Sequence, residues 1–153
     1  MISIELEGLD ELIAKLNGNS LYAGPVKDAF NRSVLHLESQ VKERTPVDTG
    51  RLRSSVTHAI DSSVIPLWGK VGTNVSYAPM IEFGTKAHVI LPRNKKALAF
   101  RIGRKGKRII VMRVNHPGTK AYRMFQNAYR DSLSQIEGFF RRAAQEIESK
   151  WGK

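Results

Sequence analysis

The feature that most constrains this chain is its C-terminal run, in which Ala121, Phe125, Ala128, Tyr129, Leu133, Ile136, Phe139, Phe140, Ala143, Ile147 and Trp151 recur at helical spacing. That period specifies an amphipathic helix. Thr119, after the Asn115-His116-Pro117-Gly118 turn, is placed to act as its N-cap. If Lys120 to Lys150 is all helix, it spans about 46 Å at roughly 1.5 Å per residue. A domain of this size is only about 30 Å across. The excess has to pack on another subunit, bend or fray, which argues for assembly on length alone.

The 153 residues predict one domain, 1–153, with a core large enough to need no staples. Ile2, Ile4 and Leu6 alternate with polar residues as in a half-buried strand, and Leu9, Leu12, Ile13 and Leu16 suit a brief helix, which fills 1–20. From Val26, the residues Phe30, Val34, Leu37 and Val41 continue one apolar stripe, opposite Lys27, Asp28, Arg32, Glu38 and Lys42, giving a helix over 26–44. Pro46 ends it, because proline drives the preceding Thr45 out of the α region. Within 56–114, Val56–Ile60 and Leu67–Gly72 are strand candidates around an Asp61-Ser62-Ser63 turn. Ala97–Ile102 and Ile109–Val114 form a hairpin whose connection supplies Gly103 and Gly106. The final helix occupies 119–151. The expected fold is α+β: a mostly antiparallel sheet of about four strands, packed by an N-terminal and a long C-terminal helix, with a basic β-hairpin.

Charge is the second constraint. The formal net charge is +11, and between Phe83 and Arg130 there are thirteen Lys or Arg residues and no Asp or Glu. Such a field attracts polyanions, nucleic acid first, then acidic protein faces or anionic lipid; the plainer reading is a solvated face. Lys86, Arg93, Lys95, Lys96, Arg101, Arg104, Lys105, Lys107 and Arg108 are the residues expected to face DNA or an acidic partner.

Reactive constellations are sparse. Cysteine is absent, which excludes a disulfide framework, a thiolate nucleophile and cysteine-ligated zinc. His36, His58, His88 and His116 lack metal-ligand spacing, so surface or turn roles are expected, His116 shaping the turn before the last helix. The enzyme alternative is a metal-independent RNase, using His88 with Lys86 and Arg93, or His116 with Arg113. A sequence-specific DNA reader is disfavoured by the absence of helix-turn-helix spacing. Met1–Glu7 has no basic region followed by an apolar run, so no signal peptide is expected, and no stretch approaches the roughly 20 apolar residues of a membrane span.

Two short signatures remain: Thr45-Pro46-Val47-Asp48-Thr49-Gly50-Arg51-Leu52-Arg53, and Tyr77-Ala78-Pro79-Met80-Ile81-Glu82-Phe83-Gly84-Thr85. In the first, Asp48 or Thr49 can cap a new helical turn, Gly50 permits the reversal, and Leu52 faces the core. In the second, Tyr77, Ile81 and Phe83 present an apolar surface ended by Gly84. Glu82 is the only acid between Asp61 and Asp131, and Arg51 or Arg53 is its expected partner, within a subunit or across an interface.

In this order and spacing, the signatures resemble those of the HK97 gp10-like family, the head-tail joining (tail-completion) proteins of long-tailed bacteriophages and prophages. The Asn115–Thr119 turn and the long last helix extend the resemblance over roughly residues 26–151. Tyr122-Arg123-Met124-Phe125 departs from it, since an arginine interrupts a run that is apolar in the family. The resemblance implies a non-enzymatic structural protein without catalytic residues, metal or cofactor, in the virion neck or tail and made in the bacterial host cytoplasm. It further implies a homo-oligomeric ring, commonly sixfold, formed either in solution or only on the portal or tail. Its partners would be other neck and tail proteins and viral DNA passing the lumen, with no membrane partner. A tail-terminator ring is the alternative role.

Overall fold

The structure, a computed structural model, describes residues 2–6, 20–61, 67–101, 103 and 106–151. The expected brief helix at Leu9–Leu16, most of the loop after it, the Ser62-Ser63 turn, and Arg104 and Lys105 of the hairpin tip lie outside these. The fold is α+β, as the sequence predicts.

The apolar stripe at Val26, Phe30, Val34, Leu37 and Val41 is buried throughout and forms one side of helix α1, Ser20–Arg44. The helix starts earlier than its stripe, with Pro25 inside it, where the ring removes one backbone hydrogen bond. It ends before Pro46, as expected. Thr45 is buried at the exit: its hydroxyl donates to the Val41 carbonyl at 2.6 Å and lies 3.5 Å from Met124 Sδ.

Against α1 lies a three-stranded antiparallel sheet of β1 (Ile2–Leu6), β2 (Thr57–Asp61) and β3 (Trp68–Thr73), in the order β1-β3-β2. Val71 sits at its centre, opposite Ile4 on one side and His58 on the other. Alternation along β3 buries Gly69, Val71 and Thr73 and turns Trp68, Lys70 and Gly72 outward. Helix and sheet approach closely at Gly69: a Cβ there would stand 2.6 Å from Val34 Cγ2 and 2.9 Å from Phe30 Cζ. Gly69→Ala is therefore expected to cost about 1–3 kcal/mol by overpacking, read as a lower urea midpoint at unchanged slope.

The last helix, α4, spans Met124–Trp151. It runs antiparallel to α1: Arg44 Nη2 meets Asp131 Oδ2 at 3.1 Å, and His36 meets the Phe139 ring edge-on at 6.0 Å. The 25 residues of α1 and 28 of α4 correspond to about 37 and 42 Å. This corrects the argument from length. The long helix does not overhang a small domain, because a partner of similar length lies inside the same chain. Met124, Phe125, Ala128, Ser132, Ile136 and Ala143 are buried on one side, while Tyr129 and Leu133 stay exposed.

The expected hairpin forms, but not as part of the core sheet. β5 (Leu98–Arg101) pairs antiparallel with β6 (Arg108–Val111), Arg101 opposite Arg108. The predicted strand Ile109–Val114 breaks at Met112 and Arg113. Its end joins β7 (Val114–His116), which pairs with β4 (His88–Ile90), a strand absent from the sequence expectation. The expectation of one four-stranded sheet is thus corrected to one three-stranded and two two-stranded sheets among the described residues. Residues 84–123 form an arm in which no described residue is buried.

Candidate interaction surfaces

The second signature folds into a short helix, α3 (Ala78–Phe83), with Pro79 at its start, where a missing N–H is harmless. Ala78 and Ile81 turn to the core, while Met80 and Phe83 point outward. Glu82, at 2% exposure, is the most buried acid of the described chain. Its Oε2 accepts from the Phe125 N–H at 3.0 Å and its Oε1 from the Gln126 N–H at 3.1 Å. Its carbonyl accepts from the Arg123 N–H at 3.0 Å, and that of Ile81 from the Tyr122 N–H at 2.9 Å.

Two expectations are corrected here. Glu82 forms no pair with Arg51 or Arg53, which are exposed; Arg53 Nη2 donates instead to the Thr45 carbonyl at 3.2 Å. Nor does Thr119 cap the last helix, because that helix begins five residues later and Thr119 is bridged to Thr85. The physical reason is shared. The first N–H groups of a helix lack internal acceptors and carry the positive end of its dipole, so the solitary carboxylate of the region is held there. Arg123, whose φ of 51° is left-handed, forms the turn into α4; it interrupts no packed run, since Tyr122 beside it is also exposed.

The first signature supplies the turn after α1 and a single helical turn, α2 (Arg51–Ser55). The cap expected from Asp48 or Thr49 is corrected: the N-cap is Gly50, with a left-handed φ of 83° and no side-chain cap, and the Thr49 hydroxyl oxygen accepts from the Arg51 N–H only at a long 3.5 Å; Leu52 is buried. The two signatures do meet, through a groove rather than an ion pair. A cavity of about 390 Å³ is lined by Pro46, Val47, Asp48, Thr49, Gly50, Arg51 and Leu52 of the first, Tyr77 and Ile81 of the second, and Tyr122. Val47, Tyr77 and Tyr122 are exposed around it, and Phe83, at 72% exposure, is the most exposed large apolar residue described. Tyr122 is the member that sequence reasoning missed.

Gly84 and Thr85 open the arm, and Gly118 and Thr119 close it. The Thr85 and Thr119 backbones exchange hydrogen bonds of 3.0 and 3.1 Å, and their hydroxyls lie 3.1 Å apart. Both flanking glycines have positive φ, 72° at Gly84 and 89° at Gly118. A Cβ on either would press into the carbonyl oxygen of the threonine on the opposite strand. Further out, His88 and His116 face each other across β4 and β7, rings stacked at 5.0 Å. His88 Nδ1 donates to the Lys86 carbonyl at 2.8 Å, whereas His116 Nδ1 accepts the Gly118 N–H at 3.0 Å. His116 thus shapes its turn, as expected. The RNase alternative had placed these histidines in separate clusters; they share one, with both Nδ1 atoms committed to backbone.

Lys86, Arg93, Lys95, Lys96, Arg101, Lys107 and Arg108 are all exposed on the arm. Arg93, Lys95 and Arg108 line a cavity of about 450 Å³ with Pro92, Asn94, Ala97, Leu98, Ala99 and Ile110, and no acid enters it. Elsewhere, Glu38 of α1 bonds both Lys42 and His58. Partial burial would raise the Glu38 pKa, but these two hydrogen bonds outweigh it and hold the carboxyl below its ordinary value. Among the described residues, no three His, Asp or Glu side chains gather around a common point suited to a metal ion, and no helix is long and apolar enough to cross a membrane. Compared with protein-family models, curated proteins and solved structures, the chain matches none.

Proposed function

We propose that this chain is a non-enzymatic structural subunit of a phage or prophage neck or tail, acting in head-tail joining or tail completion through ring assembly. The observation that carries the reading is the arm. Residues 84–123 hold twelve Lys or Arg and no Asp or Glu and bury no described side chain; a glycine-flanked Thr85–Thr119 bridge clasps the two limbs together, and Tyr122 and Arg123 bond back to α3. Two-stranded ribbons are marginal in water unless packed against something. An arm of this kind suits a subunit whose neighbours complete it. The order of the two signatures and their meeting in one groove accord with the family resemblance.

The cationic cavity around Arg93, Lys95 and Arg108 suits the phosphate backbone of DNA in a ring lumen, binding charge without reading bases. Sedimentation and electron microscopy of the purified protein over rising concentration should show rings. Binding to duplex DNA should weaken linearly in log K against log salt. Replacing Arg93, Lys95 and Arg108 together by Gln should flatten that slope by up to about 3. Monomers at every concentration would overturn the ring, and a slope unchanged by the triple variant would move the charge's partner from DNA to an acidic protein face.

A further inference from the structure

We infer that the arm of one copy seats its apolar flank, Val89, Leu91 and Met112, in the signature groove of a second copy, against Val47, Tyr77 and Tyr122. This rests on the ring reading and adds which two surfaces meet. Val89 lies in β4 and Leu91 directly after it, and Met112 lies at the break between β6 and β7; exposures of 47%, 60% and 69% leave all three largely open to solvent. The groove, about 390 Å³ and rimmed by exposed apolar side chains, is likewise unfilled. Its size falls in the roughly 300–1,000 Å³ range of clefts that enclose a ligand or a few side chains.

Charge selects between the two ways a second copy could cover the arm. Arm against arm would bring two segments of twelve cations together, whereas the rest of the chain carries thirteen basic and fourteen acidic residues. At physiological salt, charges within about 8 Å still act on each other, so the arm is driven towards a neighbour's body. Asp48 and Arg51 both line the groove, so its own charges balance, while Lys86 and Arg113 stand close in sequence to the arm's apolar residues. Because flank and groove are different patches of one chain, the contact is heterologous. Repetition of a heterologous contact closes into a ring when the rotation between neighbours divides the circle.

The chain has no cysteine, so cross-linking can be read without background. Protein carrying Val47→Cys is mixed with protein carrying Met112→Cys at a concentration where mass measurement shows oligomers, then oxidised. The expected result is a disulfide between the two variants, absent when Asp28→Cys, at the far end of α1, replaces either one. The double variant Val47→Cys/Met112→Cys should give a ladder ending at the ring's own subunit number. Met112→Asp should raise the concentration needed for assembly tenfold or more, with the thermal transition of the body unchanged. Rings that form without the Val47–Met112 cross-link overturn the pairing and leave the ring reading standing. Cross-linking confined to Met112 with Met112 indicates an arm-to-arm contact and also overturns it. A protein that never oligomerises overturns both.

Discussion

Glu82→Ala is expected to destabilise the protein by about 3 kcal/mol, lowering its melting temperature by roughly 6–12 °C for a domain of this size. The carboxylate holds two N–H groups at the start of α4, one of them fully buried, and it sits on the positive end of the helix dipole. Its removal leaves those donors without an acceptor and opens a small void in a closed site. Ordinary caps contribute about 0.5–2 kcal/mol, and hydrogen bonds to a charged group lie at or above the top of that range. Glu82→Gln keeps the shape and one acceptor oxygen, so about 2 kcal/mol is expected from it. Urea unfolding of both variants checks the pair. A loss below about 1 kcal/mol for the alanine variant would mean that the N-terminus of α4 finds another acceptor. Arg51→Ala and Arg53→Ala should cost much less, because neither side chain touches the carboxylate.

The second large effect belongs to the arm's base. Gly84 has φ 72° and ψ −177°, a region of backbone space that only glycine enters freely. A methyl group there would meet the Thr119 carbonyl oxygen and stand 2.8 Å from the Ala121 nitrogen; at Gly118 it would meet the Thr85 carbonyl and stand 2.9 Å from the Lys86 carbonyl carbon. Each single change to Ala is expected to cost about 3 kcal/mol or more, strain and collision acting together. Since both break the same clamp, the double variant should cost clearly less than the two singles added. Gly50→Ala is the control, because Gly50 is left-handed but faces open space, so about 1 kcal/mol is expected. Limited proteolysis should separate the cases further: cleavage within the arm should rise for Gly84→Ala and Gly118→Ala and stay unchanged for Gly50→Ala.

The helical elements were legible where one residue period carried the information. The stripe from Val26 to Val41 is buried in full, Pro46 ends its helix, and the last helix runs to Trp151, although Ala121 lies before it and Tyr129 and Leu133 of its apolar series are exposed. The arm was misread because its strands have ordinary strand composition; Leu98, Phe100, Ile109 and Ile110 look like core residues in sequence, and only tertiary placement shows that they bury nothing completely. Glu82 was singled out correctly as a lone acid in a basic field, but its partner was sought among arginines. The missed signal was a deficit: with Arg123 and Met124 at its start, the last helix has no local capping side chain, so its acceptor had to come from a distant residue. For the groove, spacing showed both signatures, but nothing in one dimension placed Tyr122 beside them.

The antiparallel pairing of α1 with α4 also has a consequence for how the chain comes to be folded. Arg44 meets Asp131, and His36 meets Phe139, so the principal apolar seam joins segments from opposite ends of the sequence. During synthesis, the stripe of α1 leaves the ribosome long before the helix that covers it, and until then it presents Phe30, Leu37 and Val41 to solvent or to a chaperone. Contacts of such high sequence separation slow folding, because the long loop between them must close before they form. A chain truncated before Met124 would keep the arm and both signatures yet lose the cover of its core, and it is expected to aggregate rather than assemble.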